Sequence, residues 1–221
     1  MYRVDIIDDH KASTVGLQNL LNATSNKYQV KKVWFNAPDF LLSLKTKNAI
    51  QPDLVLIDYR MPFLQGFHLS YLLQRDYPHV KKIGFSSDAK PKWIEHFIAT
   101  GCKAFIEKSG DQIELNAAIE TVLKNEFYYN LYVNEKLVKD VLAKSAEFEF
   151  PYQLTDNEYI LIHLCQTSLS RENIADILNL NVETLKKNLG KIYKMFNAKS
   201  HGELVSLAIE KGIIKYYRIA S

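Results

Sequence analysis

The sequence predicts a chain in two parts: a doubly wound α/β unit built on a five-stranded parallel sheet, then an all-α unit of four helices. Three observations carry this. Over the first 125 residues, short β-branched runs alternate with stretches whose apolar residues recur at three and four spacing. Beyond about residue 150 the strand signal stops. The length of 221 residues, at roughly 100 to 200 per domain, leaves room for two small domains.

Strands are expected at 2–7, 29–35, 53–57, 80–85 and 104–106. Between them the helical period places helices near 12–22, 37–46, 65–75, 91–100 and 111–124. Five strand-then-helix units supply the crossovers that parallel pairing requires. A short helix over 134–144 and an Ala-Glu-Phe-Glu-Phe-Pro linker lead into the second part, so the boundaries fall at 1–127, 128–152 and 153–221. In that part Thr155 precedes Glu158 by three, and Ser200 precedes Glu203 by three. This is the capping-box pattern, in which a hydroxyl and a carboxylate reciprocally satisfy backbone donors at a helix start. Ser170 and Asn181 are further N-cap candidates ahead of apolar runs. Gly212 is placed to close the last helix.

Composition excludes several classes. An apolar fraction of 47% with 24% charged residues is that of a globular chain, not of a disordered or collagen-like one. Cys102 and Cys165 make no Cys-x-x-Cys pair, so neither a disulfide framework nor a cysteine zinc site is expected. The uncharged run in the middle of the chain, 61–74, is shorter than the roughly 18 apolar residues of a spanning helix. Acids stand where a signal peptide would carry its apolar core, and the expected location is the cytoplasm, with no membrane partner. The eight glycines form no Gly-x-Gly and no Gly-x-x-x-x-Gly-Lys, so dinucleotide and P-loop chemistry are excluded.

A doubly wound sheet binds ligands beyond the carboxyl ends of its strands. The first expected strand runs into Asp8 and Asp9 and the third into Asp58, so three carboxylates converge on one rim. Like charges at that separation need a cation, and Mg²⁺ with oxygen ligands and water meets the need. Ser86 ends the fourth strand and Lys108 follows the fifth, adding a hydroxyl and an ammonium. Such a rim suits a phosphoryl group, with one carboxylate as the nucleophile. His10 and His68 belong to no His pair at i, i+3 or i+4 and are expected to be structural or surface residues.

Asp8-Asp9, the Val-Leu-Ile-Asp-Tyr-Arg-Met-Pro run around Asp58, Gly66, Ser86 and Ala104-Phe105-Ile106-Glu107-Lys108 together resemble the receiver domain of bacterial two-component response regulators, a flavodoxin-like fold. The resemblance covers roughly residues 2–125. It implies that Asp58 accepts phosphate from a sensor histidine kinase or a small phosphodonor. It also implies that Asp8, Asp9 and Asp58 hold Mg²⁺ with the backbone carbonyl of Arg60. Ser86 and Lys108 would engage the phosphoryl group, and Phe105 would be the aromatic that changes rotamer. Lys11 stands where many relatives carry proline.

The net charge of +3 conceals one concentration: Glu183 to Lys199 holds five lysines against a single acid. By helical period Val182, Leu185, Leu189, Ile192, Tyr193 and Phe196 form one face, and Glu183, Lys186, Lys187, Gly190, Lys191 and Lys194 the other. A short helix and the Asn179-Leu180-Asn181 turn precede it, the plan of a helix-turn-helix, whose second helix enters the major groove. Residues 154–214 resemble the LuxR-type DNA-binding domain of the NarL/FixJ class, through Leu154-Thr155-x-x-Glu158, Ile174-Ala175-x-x-Leu178 and Thr184-Leu185-Lys186. The resemblance implies that Lys186 and Lys187 reach bases or phosphates and that a homodimer binds the DNA; Thr184, Gly190, Lys191 and Lys194 are expected to face DNA with them. Asn188 replaces a usual histidine, and Gly190 stands where relatives carry a basic residue; its bare surface is expected to let the helix approach DNA closely.

The expected function is a phosphorylation-controlled, DNA-binding transcriptional regulator and not an enzyme. A phosphatase with an aspartate nucleophile would carry a second acid two residues on, and here that residue is Arg60. An interaction module that is never phosphorylated is the other alternative, and the complete acid, hydroxyl and lysine set argues against it.

Overall fold

The computed structural model describes residues 1–24, 26–144 and 154–214. The Ala-Glu-Phe-Glu-Phe-Pro linker expected from the sequence lies outside them. The α/β part runs β1 (Tyr2–Ile7), α1 (Lys11–Thr24), β2 (Tyr28–Trp34), α2 (Ala37–Leu44), β3 (Leu54–Ile57), α3 (Gly66–Asp76), β4 (Lys81–Ser86), α4 (Pro91–Ala99), β5 (Phe105–Glu107) and α5 (Gln112–Leu123). The sheet is parallel, in the order β2-β1-β3-β4-β5. Four of the five strands differ from their expected bounds by one residue at one or both ends, the scale on which strand ends are defined by hydrogen bonding rather than by side-chain pattern.

Side chains alternate across the sheet and build two cores. Val4, Ile6, Leu54, Leu56 and Ile83 pack with Leu21 of α1 and Leu115, Ile119 and Val122 of α5. Ile7, Val55 and Ile57 face the other way, onto Phe40 of α2, Leu69 and Leu73 of α3 and Phe97 of α4. This second core continues without a break into Leu161, Ile162 and Ile177 of the helical part.

After α5 the chain crosses β5 and enters α6 (Glu135–Lys144), which packs on α4. The helical part comprises α7 (Asp156–Leu164), α8 (Arg171–Leu178), α9 (Val182–Phe196) and α10 (His201–Glu210). Thr155 and Glu158 form the full reciprocal capping box at α7. The second expected box is only half formed. Ser200 Oγ accepts from Glu203 N at 3.2 Å, but the Glu203 carboxylate accepts from Lys199 N at 2.8 Å instead of from Ser200. The extended Ser200 backbone, with φ −150°, presents the preceding N–H to that carboxylate. Gly212 takes φ +69° just past α10, the left-handed geometry that ends a helix cheaply only at glycine. Among the described residues no helix is long and apolar enough to cross a membrane.

Candidate functional site

The acids meet where the order β2-β1-β3 reverses the direction of winding, the crevice in which doubly wound sheets bind ligands. Ladder hydrogen bonds run to the strand ends and fix each residue: Asp8 N donates to Trp34 O at 2.9 Å, Asp58 N to Ile7 O at 2.9 Å and Lys108 N to Ser86 O at 2.9 Å. Asp8 and Asp58 are buried, at 1% and 3% exposure. The Lys108 ammonium lies between them, 2.6 Å from Asp8 Oδ2 and 2.9 Å from Asp58 Oδ1. Arg60 N donates to Asp58 Oδ2 at 2.9 Å. Burial pushes the Asp58 carboxyl above its ordinary range, and the Lys108 charge and hydrogen bond oppose it. Asp9 is also raised, mainly by burial.

Ser86 is buried at the end of β4, paired across the ladder with Glu107, the residue before Lys108. Phe105 is fully buried between Phe97 and Tyr132, with ring centroids 6.2 Å and 5.8 Å away. Gly66 opens α3 directly beneath Asp58: a Cβ there would stand 2.0 Å from the Asp58 carbonyl oxygen. Outside the pocket Arg60 pairs with Asp88 at 3.3 Å and covers the Trp93 ring.

The residues fit a hard divalent cation. Asp8, Asp9, His10 and Asp58 each offer an atom, all within 4.8 Å of one another. Asp9 Oδ1 is buried and accepts no hydrogen bond, although His10 Nδ1 stands 3.2 Å from it. His10 is a surface residue, as expected, but its ring nitrogen also reaches the acid cluster, 3.1 Å from Asp8 Oδ1. Helical spacing between histidines could not reveal this; its position directly after two acids was the usable signal. His68 is structural, as expected: it is buried and meets His163 of α7.

The second expected constellation lies on α9. Asn181 caps it by accepting from Thr184 N at 2.8 Å, and Leu185, Leu189, Ile192 and Phe196 are buried. Asn179 and Asn197 adopt left-handed φ of 57° and 54° at the ends of α8 and α9, a backbone asparagine tolerates. Lys186, Lys187, Lys191 and Lys194 are exposed. Two of them are already paired within the part, Lys186 with Glu183 at 2.8 Å and Lys191 with Glu158 at 2.6 Å. Burial would raise the Glu158 carboxyl, but Lys191 and Thr155 outweigh it and hold it below the usual range. Thr184 is half-buried, and nothing lies within 4 Å of a Cβ built at Gly190. Packing therefore does not require glycine there.

The two parts touch through α3, α7 and α8. Arg75 of α3 donates to Asn157 Oδ1 at 2.6 Å and to the Leu178 carbonyl at 3.3 Å, at the C-terminus of α8. The residues following α5 clamp β5: Asn130 Nδ2 donates to Phe105 O at 3.0 Å, and the Tyr132 hydroxyl to Glu107 Oε2 at 2.5 Å. Sequence periodicity carries no signal for such contacts, which join residues 25 apart.

Comparison with known proteins gives a match to the response regulator receiver domain over residues 4–120. The oxygen regulatory protein NreC of Staphylococcus aureus is 24% identical over 220 residues, covering 97% of this chain and 100% of NreC. The transcriptional regulatory protein DegU of Brevibacillus brevis is 23% identical, covering 96% of this chain and 95% of DegU. Among solved structures, the response regulator RcsB in its complex with DNA aligns with a TM-score of 0.53 at 17% identity, covering 93% of this chain and 96% of that one.

Proposed function

Because the chain belongs to the response regulator receiver family, we propose that it is a phosphorylation-controlled, DNA-binding transcriptional regulator of a two-component system. The observation that carries the reading is the Lys108 ammonium held between Asp8 and Asp58 at the switch point of the sheet. Asp58 is the phosphoacceptor. Its carboxylate oxygen attacks the phosphorus of a kinase phosphohistidine or a small phosphodonor, and the bond from phosphorus to the donor's leaving atom breaks. Asp8, Asp9, Asp58 and the Arg60 carbonyl would hold Mg²⁺, which neutralises the charge that builds on the phosphoryl oxygens. Lys108 exchanges its carboxylate partners for the new phosphoryl oxygens, and Ser86 donates to the same group. The position two residues after Asp58 is an arginine bound to Asp88, not the second acid a hydrolytic cycle would use.

Capture of the phosphoryl group displaces Lys108 and so bears on β5. The Asn130 and Tyr132 bonds fasten β5 to the residues that lead into α6, and α6 rests on α4. Phosphorylation thereby shifts the balance between two arrangements of the halves. NreC and DegU, which match nearly end to end, are named as regulators, and RcsB is known bound to DNA. The open lysine face of α9 supports the same assignment for this chain, with Thr184, Lys186, Lys187, Gly190, Lys191 and Lys194 toward the groove and two copies meeting two half-sites.

The DNA assignment is tested with an arbitrary duplex, because the phosphate term does not depend on sequence. A dimer that neutralises around eight phosphates is expected to lose affinity with a log–log salt slope of about −7. A slope near zero contradicts it.

A further inference from the structure

Within the contact between the two parts lies an imidazole pair. His68 of α3 and His163 of α7 have ring centroids 4.8 Å apart and are each 1% exposed. All four ring nitrogens are buried without a hydrogen-bond partner. A neutral imidazole has one N–H donor and one acceptor, and buried polar groups are nearly always satisfied, so two unsatisfied rings facing each other need a reason. A phenylalanine pair would fill the same space without that penalty.

The groups around the pair are known from every side. His96 faces it from α4, with Lys92 behind. Tyr159 of α7 stands 5.1 Å from His68 and 4.9 Å from His163 by ring centroid, and its hydroxyl is committed to the Ile213 carbonyl at 3.1 Å. The Phe63 carbonyl, ahead of α3, favours a protonated His163 without closing a hydrogen bond. No carboxylate acts on either ring among these influences. A proton on one imidazole would be a buried charge beside a second basic ring.

We infer that His68 and His163 form a proton-operated latch between the receiver and the helical part: neutral rings hold the contact closed, and acidification opens it. Burial, with the neighbouring His163 and His96, holds His68 well below 6.5, and burial lowers His163 to about 4. Separation of the parts returns both rings to water and to an ordinary value near 6.5. Below about pH 6.5 the open form binds more protons than the closed form, so closure is undisturbed above that pH and weakens as pH falls. At about pH 5.5 each ring favours opening about 10-fold, and the two together about 100-fold. The latch rests on the contact alone and needs no phosphoryl group on Asp58.

The test uses the full chain carrying Asp58→Asn, so that failure of the phosphorylation reading leaves it untouched. Amide exchange in α3 and α7, corrected for the intrinsic effect of pH, reports opening. Between about pH 7.5 and about pH 5.5 opening is expected to rise about 100-fold. His68→Phe or His163→Phe alone should leave a rise of about 10-fold, and the double substitution none. Ring titration followed by NMR needs no substitution at these sites: both rings should remain neutral in the closed chain well below pH 6.5. A ring that titrates near 6.5 in the closed form, or a pH response that survives the double substitution, overturns the latch.

Discussion

Gly66→Ala is expected to destabilise the receiver by on the order of 3 kcal/mol and to lower its Tm by roughly 10 °C. The added Cβ would stand 2.0 Å from the Asp58 carbonyl oxygen, 2.9 Å from its carbon and 2.9 Å from Ile57 Cγ2. The two nearest of these atoms are backbone, and that backbone is tied on both sides. Asp58 N donates to Ile7 O at 2.9 Å, and Gly66 N to Tyr59 O at 2.9 Å. Relief must therefore come from moving α3 or the turn just after β3, which carries Asp58. The same substitution should slow phosphoryl uptake as well as weaken the fold. Thermal melts and phosphodonor labelling of the variant check both effects, and a Tm within a degree or two of wild type contradicts the packing argument. Gly190, where a Cβ meets nothing within 4 Å, is the natural control for glycine replacement itself.

Lys108→Met is expected to cost about 3 kcal/mol near neutral pH, because it strands two buried carboxylates that share one ammonium. The direction of its pH response follows from Asp58. Burial already raises that carboxyl in the folded chain, and Lys108 is the leading influence that lowers it. Without the lysine the folded value rises further above the unfolded one. The folded variant then binds more protons than the unfolded chain, so it should recover stability as pH falls through the elevated value. Millimolar Mg²⁺ should rescue it at neutral pH by replacing the missing charge. Denaturant melts at about pH 7.5 and about pH 5, with and without Mg²⁺, measure this. A variant indifferent to both acid and metal would mean that the three carboxylates do not share one site.

The fold and the acid rim were legible in the sequence because both follow from local rules. A strand's apolar alternation and the helical period mark the elements, and doubly wound sheets place ligand sites at the carboxyl ends of their strands, so Asp8, Asp58 and Lys108 could be located from the residues alone. The α7 box of Thr155 and Glu158 was equally local. What escaped depends either on a local choice between neighbouring partners or on contacts between distant segments. His10 entered the acid cluster through the turn after β1, and Lys191 found Glu158 across the helical part. Ser200 lost its reciprocal partner to Lys199, a competition one residue wide. His68 and His163 stand 95 positions apart in the chain, and only the docking of two parts brings them together.

The central claim is that chemistry at Asp58 governs the affinity of α9 for DNA. It is tested by measuring duplex binding at fixed salt before and after treatment with Mg²⁺ and acetyl phosphate, with the intact mass read on the same samples, for wild type and Asp58→Asn. Wild type is expected to gain one phosphoryl group and to change its affinity by about 5-fold or more, while Asp58→Asn gains nothing and does not change. Phosphorylated wild type with unaltered affinity, or an equal response from Asp58→Asn, would contradict the claim.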